Sequence, residues 1–290
     1  MCDKILKNCG INRIIVYYSH RRYYVQVEIN FTKAVLKDEE KLFHISEENI
    51  DIFASRVDSM FKKVLNIELP PILEWKPKRI DYAIDIVTED IGIYISLIKN
   101  SRIYRPKFCQ SRIYETSVYQ MYRTYRLNIY DKEEERANTK PVEIDKYKNL
   151  LKIEVQSDKE KLKYLQRKYK LKERKLLHYL NQEIALDLII NYLEKSIGKV
   201  DHYKYSVAVA IVDCAPINKK LKTSLKKTLN IIYNQRNLND VIDSYKNTIT
   251  IKRQLKILND IGINPLLLPD DCTKEVLPNL IKLINEGINK

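Results

Sequence analysis

Two short runs rich in β-branched and aromatic residues, at positions 14–18 and 23–31, begin the chain's pattern of apolar and polar residues. The polar stretch Ser-His-Arg-Arg separates them, and this arrangement predicts a β-hairpin. The apolar period then changes. Over residues 46–65 apolar side chains recur at helical spacing, with Ser46 as a start signal and Pro70 and Pro71 beyond the end. The second predicted element is therefore a helix.

Three later segments, residues 79–86, 125–130 and 150–156, alternate between apolar and polar residues as strands do. Successive residues of a strand point to opposite faces of its sheet, so each segment has one polar face. These polar faces carry Asp81 and Asp85 in the first segment, Arg126, Asn128, Tyr130 and Lys132 in the second, and Lys152, Glu154 and Gln156 in the third. If the three strands pair in one sheet, the polar faces coincide.

The chain turns mainly helical after Ser157. Two segments interrupt this pattern: residues 205–214 read as a strand or a buried helix, and residues 265–269 as a loop between prolines. The predicted fold is α+β, with a largely antiparallel sheet as catalytic core, flanking helices and a mainly helical C-terminal part. We predict a division into residues 1–200 and residues 201–290, although no Gly/Ser linker marks it.

The charge balance points to an anionic partner. The 290 residues include 52 Lys plus Arg against 38 Asp plus Glu, a formal net charge of +14. Nucleic acid and acidic lipid both satisfy such a charge. No apolar run is long enough to span a membrane, and the first residues lack the apolar stretch of a signal peptide. We therefore expect a cytoplasmic protein that does not bind membranes.

The shared polar face holds the parts of a metal-dependent phosphodiester chemistry. Mg²⁺ and Mn²⁺ prefer oxygen ligands, usually one or two carboxylates plus water and phosphate. Asp81 and Asp85 are four residues apart, about 13 Å along a strand, so they cannot hold one ion together. We pair Asp81 with Glu154 and keep Asp85 as the alternative. Such alternation is also typical of any half-exposed antiparallel sheet, and the pattern alone favours that plainer interpretation.

Short motifs resemble those of rolling-circle replication initiators from filamentous phages and small Gram-positive plasmids. The similar stretches are Arg79-Ile80-Asp81, the run from Leu127 to Glu135 with its Tyr-Asp-Lys, and Lys152-Ile153-Glu154, in the family's order. Two other stretches, residues 24–36 and 258–280, look more like the phage branch. Lys152 stands where the plasmid family has arginine, and the His-hydrophobic-His motif of other rolling-circle nickases is absent.

The resemblance implies a role for each matching position. Tyr130 would be the nucleophile, Asp81 and Glu154 the metal ligands, and Lys132 a helper at the phosphate or leaving oxygen. The implied protein is a tyrosine nickase, a DNA endonuclease and strand transferase that needs Mg²⁺ or Mn²⁺. Its partners would be origin DNA, a host helicase and DNA polymerase in a bacterial cell; homodimer formation is left open.

Basic residues interleaved with tyrosines predict a DNA-binding surface. Between residues 99 and 126 there is one acid, Glu115, and the chain is rich in cations that grip phosphates and rings that stack on bases. The predicted DNA-binding residues are Arg102, Arg105, Lys107, Arg112, Arg123, Arg126 and Lys152. A second basic run at residues 159–175 fits either DNA binding or a solvated helix face.

The sequence therefore predicts a replication initiator for phage or plasmid DNA. It would nick one strand of the origin, form a 5′-phosphotyrosine link, leave a 3′-OH as primer for rolling-circle replication, and later rejoin the strand. Two other classes stay open. A non-catalytic DNA-binding regulator would explain the charge and the tyrosines, and a relaxase for conjugative transfer would share the chemistry.

Overall fold

Two compact units share the chain in the computed structural model, which describes residues 6–7, 9–36, 45–66, 68–101, 109–139, 144–235, 238, 241–242 and 248–288. The first unit comprises Met1–Ile84 and Ser157–Leu186, and the second Asp85–Gln156 and Asp187–Lys290. Each unit thus combines two separate segments of chain. These units do not follow the division that we predicted near residue 200, and the functional division stays a prediction.

The fold is α+β, as the sequence predicts. The described strands are β1 (Ile11–Ser19), β2 (Arg22–Ile29), β3 (Arg79–Val87), β4 (Gln110–Tyr114), β5 (Ser117–Met121), β6 (Tyr125–Asp131), β7 (Leu150–Asp158), β8 (His202–Tyr203) and β9 (Val276–Leu277). The described α-helices are α1 (Phe31–Leu36), α2 (Glu47–Leu65), α3 (Ile91–Lys99), α4 (Lys132–Thr139), α5 (Lys159–Lys168), α6 (Gln182–Ile197), α7 (Tyr205–Cys214), α8 (Lys219–Gln235), α9 (Thr248–Asp260) and α10 (Leu280–Ile288). Short 3₁₀ turns occur at Ile72–Glu74, Ile144–Tyr147 and Leu176–Tyr179.

The first unit contains the predicted hairpin, which is confirmed, although β2 ends at Ile29 and Phe31 already begins helix α1. β1 and β2 pair antiparallel from Ile11 to Ser19, so the connecting turn has only two residues. These are His20 and Arg21, with φ of 50° and 60°, the left-handed conformation that a two-residue hairpin turn requires. Glycine is needed just before β1, because a Cβ at Gly10 (φ +80°) would stand 2.6 Å from a backbone oxygen.

Helix α2 forms the core of the first unit together with the base of the hairpin. Ser46 caps the helix, since its hydroxyl accepts a hydrogen bond of 3.2 Å from the backbone N–H of Asn49. Phe53, Val57 and Phe61 repeat at helical spacing and are buried against residues of β1, β2 and α1. The predicted helix over residues 46–65 is thus confirmed, apart from Ser46 being its cap rather than its first turn.

A five-stranded antiparallel sheet in the order β3-β7-β6-β5-β4 positions the residues of the predicted site. Its central strands bury one face completely, because Leu127 and Ile129 of β6 and Leu151, Ile153 and Val155 of β7 are all fully inaccessible. The alternate residues form the opposite, polar face. The face assignments made from sequence are therefore confirmed for these strands, except for Lys132, which lies beyond the end of β6.

The C-terminal part of the second unit is mainly helical, as predicted. Residues 205–214 form helix α7, which resolves the choice between strand and helix, and residues 265–269 lie outside helices and strands. Helix α3 is tied to this part by Tyr94, whose hydroxyl donates a 2.7 Å hydrogen bond to the carbonyl oxygen of Pro278. Within the described ranges, none of the helices combines the length and apolar character that crossing a bilayer demands.

Candidate functional site

The register of β4, β5 and β6 arranges the polar face of the sheet in rows. Tyr119 is paired with Arg112 on one side and with Asn128 on the other, and Ser117 is paired with Tyr114 and Tyr130 in the same way. Directly paired residues of antiparallel strands point to the same face. Tyr130 therefore lies at the end of one row of a face that also carries arginine and tyrosine.

Glu154 of β7 is the hydrogen-bonding partner of Tyr130. The Tyr130 hydroxyl donates to Oε1 of Glu154 at 3.2 Å. The side-chain amides of Asn128 and Gln156 donate to the other carboxylate oxygen, Oε2, at 3.4 and 3.5 Å. The carboxylate is thus held by neutral donors, and one oxygen is aimed at the proton of the phenol.

Lysines and a further carboxylate complete this cluster. Asp85, near the end of β3, forms an ion pair with Lys152 of β7, with Oδ1 and Nζ 3.4 Å apart. Lys132 begins α4 and its side chain is only 6% exposed. All of these residues belong to the second unit. The structure therefore brings together Tyr130, Lys132, Glu154, Lys152 and Asp85 of the sequence-predicted site.

Helix α4 begins immediately after β6, and its start is fixed by Asp131. Oδ1 of Asp131 accepts hydrogen bonds from the backbone N–H groups of Glu133 and Glu134, at 2.9 and 3.3 Å. The sequence pattern predicts Lys132 as a residue of the strand. The strand ends one residue earlier, because this cap converts the chain to helix there, and Lys132 turns inward as the first helical residue.

The environment of Tyr130 disfavours its phenolate form. Burial raises its pKa well above the ordinary value, and the negative charges of Glu154, Glu135 and Asp85 raise it further, as does the hydrogen bond to Glu154. Attack on phosphorus by this hydroxyl consequently requires either transfer of its proton to a base or added positive charge close by.

The pKa of Lys132 is shifted in the opposite direction. Burial lowers its pKa from 10.5 to about 8, and the positive charge of Lys152 contributes to the same direction. Its Nζ lies 5.7 Å from the centre of the Tyr147 ring, which also carries the guanidinium of Arg136 at 5.0 Å. Lys132 can therefore exchange a proton near neutral pH, unlike an ordinary lysine.

An open groove of about 470 Å³ runs over the polar face beside this cluster. Ser117 lines the groove and is directly paired with Tyr130, so the two features adjoin. The residues lining it are Arg112, Tyr114, Ser117, Tyr119, Met121, Arg126, Asn128 and Gln156. Cations and rings on one surface are what a nucleic-acid strand requires for its phosphates and bases.

Asp81 is placed differently from Glu154 and Asp85. It belongs to the first unit, and Arg79 binds both of its carboxylate oxygens, at 2.7 and 2.5 Å. Oδ1 of Asp85 is buried and lies 3.4 Å from Nζ of Lys152, and it accepts no hydrogen bond from any residue that the structure describes. No group of three or more acidic, His or Cys side chains suited to a metal occurs in the described ranges.

The carboxylates near Tyr130 nevertheless fit a hard divalent cation. Mg²⁺ needs only one or two protein carboxylates when phosphate oxygens supply further ligands. Glu154 and Asp85 satisfy that number, and both act on the pKa of Tyr130. Of the two aspartates between which the sequence does not choose, Asp85 is the one whose charge acts on the pKa of Tyr130.

The remaining predicted DNA-binding residues divide into two groups. Arg112 and Arg126 line the groove, and Arg123 is exposed in the turn between β5 and β6. Arg102, Arg105 and Lys107 lie outside the described residues.

The second basic run, residues 159–175, contains both buried and exposed positions. Leu162 and Leu165 are buried, and some lysines pair with acids on the surface, as Lys163 does with Glu160.

Other tyrosines near Tyr130 have different environments. Tyr125 is sandwiched between Tyr122 and Tyr192, with ring centres 4.2 and 3.9 Å away. Burial raises the pKa of Tyr125 above its ordinary value. Tyr119 is in the groove but its register partner is Asn128 rather than an acid. The Tyr130 hydroxyl, by contrast, donates to the carboxylate of Glu154.

Sequence reasoning missed the helical side of the site. Glu135, Arg136 and Tyr147 surround Lys132 and Tyr130, and none was predicted as a site residue. The run Asp131-Lys132-Glu133-Glu134-Glu135 carries a signal that could have found them, because an acid followed by an acidic first turn is typical of a helix start. Tyr147 has no such signal in the sequence.

Comparisons of the chain with protein-family models, with curated proteins and with solved structures found no match. The similarity to rolling-circle initiators therefore stays a hypothesis carried by short motifs.

Proposed function

We propose that this protein is a metal-dependent DNA-nicking enzyme that initiates rolling-circle replication through Tyr130. The observation that carries the proposal is the hydrogen bond from the Tyr130 hydroxyl to Glu154. It occurs beside a groove lined by Arg112, Arg126 and tyrosines, on a protein with a net charge of +14. A DNA-binding regulator gives no reason for a phenol, a carboxylate and a buried lysine to cluster there.

The first step is attack of the Tyr130 oxygen on the phosphorus of one phosphodiester. A P–O bond to tyrosine forms while the bond from phosphorus to the 3′ oxygen breaks, so the products are a 5′-phosphotyrosine link and a free 3′ end. Glu154 is positioned to accept the phenolic proton, because its Oε1 already accepts that hydrogen bond at 3.2 Å.

Lys132 is the group best suited to give a proton to the leaving 3′ oxygen. With a pKa of about 8 it is mostly protonated at neutral pH, yet it releases its proton far more readily than an ordinary lysine. The 3′-OH so formed serves as primer. In the reverse reaction a 3′-OH attacks the phosphotyrosine, Lys132 accepts its proton, and Glu154 returns a proton to Tyr130.

Glu154 and Asp85 are the residues that would hold Mg²⁺ or Mn²⁺. Bound there, the cation would supply positive charge to the phosphate and to the phenolate of Tyr130. A requirement for such a cation is consistent with the three carboxylates that raise the pKa of Tyr130. Lys152, now paired with Asp85, would be released to contact phosphate.

The cellular setting follows from the proposed reaction. We expect the enzyme to act in the cytoplasm of a bacterial host, on origin DNA of a phage or plasmid, and to rely on host helicase and DNA polymerase for unwinding and extension. A relaxase for conjugative transfer would use the same residues, so the origin that is cut separates the two.

The decisive experiment is Tyr130→Phe, which keeps the ring and removes the attacking oxygen. Wild-type protein is incubated with Mn²⁺ and tiled single-stranded oligonucleotides from its own replicon, and covalent adducts are detected on denaturing gels and assigned by mass spectrometry. We expect the variant to form no adduct, a loss of at least about 1,000-fold, while binding the same DNA with near wild-type affinity.

Two matched variants control for packing and binding. Tyr125→Phe alters the stacked tyrosine beside Tyr192, and Tyr119→Phe alters a tyrosine of the groove; both should still cut. Adduct formation by Tyr130→Phe at the wild-type rate would exclude this nucleophile. If wild-type protein forms no adduct with any oligonucleotide of its replicon, the regulator interpretation replaces ours.

A further inference from the structure

The hairpin β1–β2 carries an exposed aromatic and basic tip that the proposed reaction does not use. Tyr18 and Tyr23 are directly paired, their ring centres are 5.0 Å apart, and they are 61% and 78% exposed. Val16, on the same face, is 59% exposed. Side chains of this size are usually covered when they have no binding role, so such a cluster indicates an interaction surface.

The two faces of the hairpin differ. On one face Tyr17 stacks on Tyr24, and Lys78 crosses both strands by donating hydrogen bonds to the Tyr17 hydroxyl (2.9 Å) and to Gln26 (2.8 Å). On the face with Tyr18 and Tyr23, no residue that the structure describes covers the tip in this way. At the opposite end of the hairpin Ile14 and Val27 pack on the hydrophobic core. The base of the hairpin is therefore anchored, whereas the side chains at its tip are exposed to solvent.

The charge of the tip selects an anionic partner. His20 and Arg21 form the turn and Arg22 begins β2, all three exposed. Neither arginine forms an ion pair with a residue that the structure describes. Between Ile14 and Val27 the sequence contains no Asp or Glu. A double helix exposes phosphates along its two strands and base edges in the groove between them. Cations at the end of a ribbon can contact the phosphates, and exposed tyrosines next to them can contact the base edges.

We propose that the β1–β2 hairpin is a double-stranded DNA-binding arm that inserts its tip into a groove of the duplex. Two strands about 4.8 Å apart fit the major groove, which is roughly 12 Å wide and admits a two-stranded ribbon. Arg21 and Arg22 contact phosphates, and Tyr18 and Tyr23 contact base edges. This surface lies in the first unit, whereas the groove beside Tyr130 belongs to the second and suits a single strand.

The test measures binding without cleavage, in EDTA, so that it does not depend on the proposed reaction. The variant Arg21→Asn with Arg22→Thr removes both charges while Asn tolerates the positive φ of the turn and Thr suits the strand. Binding of a 30-base-pair duplex and of a single strand of the same length is followed by fluorescence anisotropy across a salt series.

We expect duplex affinity at physiological salt to fall about tenfold or more, and the log-log salt slope to fall by roughly 1.8 for two lost phosphate contacts. Tyr23→Thr should weaken duplex binding about fivefold or more with an unchanged slope. Single-strand affinity should change less than twofold. The charge-matched control Lys219→Gln with Lys220→Gln, on the exposed start of α8, should leave duplex binding near wild type.

Three outcomes would refute the proposal that the hairpin binds duplex DNA. Unchanged duplex affinity in both hairpin variants would show that DNA does not bind to this surface. Equal losses on duplex and single strand would show attraction to any phosphate polymer rather than to a groove. A change of oligomeric state by light scattering, with duplex affinity per protomer intact, would make the hairpin a contact between copies of the chain. None of these results bears on whether Tyr130 cuts DNA.

Discussion

Replacing Lys132 by methionine should make the folded protein more stable at neutral pH while removing activity. Methionine keeps the apolar stem and fills the buried site, which is only 6% exposed, but carries no charge. The pKa of Lys132 falls from 10.5 to about 8 because the ammonium is buried and faces Lys152. Since a shift of one pKa unit corresponds to about 1.4 kcal/mol, the charged form of Lys132 destabilises the folded state by roughly 3 kcal/mol.

The pH dependence gives the prediction its sign. Folded Lys132 loses its proton near pH 8, whereas the unfolded chain keeps its proton up to about pH 10.5. The destabilisation is therefore complete below pH 8 and disappears as the pH rises towards 10.5. We expect Lys132→Met to gain about 3 kcal/mol in free energy of unfolding at pH 7, and progressively less between pH 8 and pH 10.5.

Urea unfolding followed by far-UV circular dichroism at several pH values measures this difference. Lys148→Met, on an exposed lysine of the same unit, is the matched control and should stay within about 0.5 kcal/mol of wild type at every pH. Nicking by Lys132→Met should fall roughly 100-fold or more, the usual range for loss of a proton donor. A loss of stability at pH 7, or a gain that does not change with pH, would refute the assignment of Lys132 as a buried, strained charge.

Three further predictions address the metal, the groove and the backbone. Nicking should stop in EDTA and return with Mg²⁺ or Mn²⁺, and Glu154→Gln should abolish it. Asp81→Asn should still nick DNA, because Arg79 is the partner of that carboxylate. An inactive Asp81→Asn would indicate that Asp81 is a metal ligand. Arg112→Ala with Arg126→Ala should lower the log-log salt slope of single-strand binding by about 1.4, and an unchanged slope in anisotropy titrations would place the strand elsewhere. Gly10→Ala should lower the free energy of unfolding by more than about 2 kcal/mol in urea titrations, because its Cβ would stand 2.6 Å from a backbone oxygen; wild-type stability would exclude that close approach.

Local rules of the sequence were sufficient to predict the β1–β2 hairpin, helix α2 and the buried faces of β6 and β7. Period-two alternation placed Leu127 and Ile129 on the buried side and Tyr130 on the polar side, because a strand cannot turn one side chain without turning all of them. Ser46 was recognisable as a helix start, since its hydroxyl satisfies a backbone N–H that the first turn leaves free. Such features depend on residues a few positions apart.

The site itself depends on residues that are distant in sequence, and only the tertiary structure decided which of them meet. Asp81 and Asp85 share one face of β3, yet Arg79 hydrogen-bonds to Asp81 while Lys152 forms an ion pair with Asp85. The alternation of apolar and polar residues cannot predict this difference. The burial that lowers the pKa of Lys132 comes from the packing around the start of α4. Charge and periodicity determine what a side chain can do, whereas desolvation and partners, which set its proton affinity, exist only once the chain has folded.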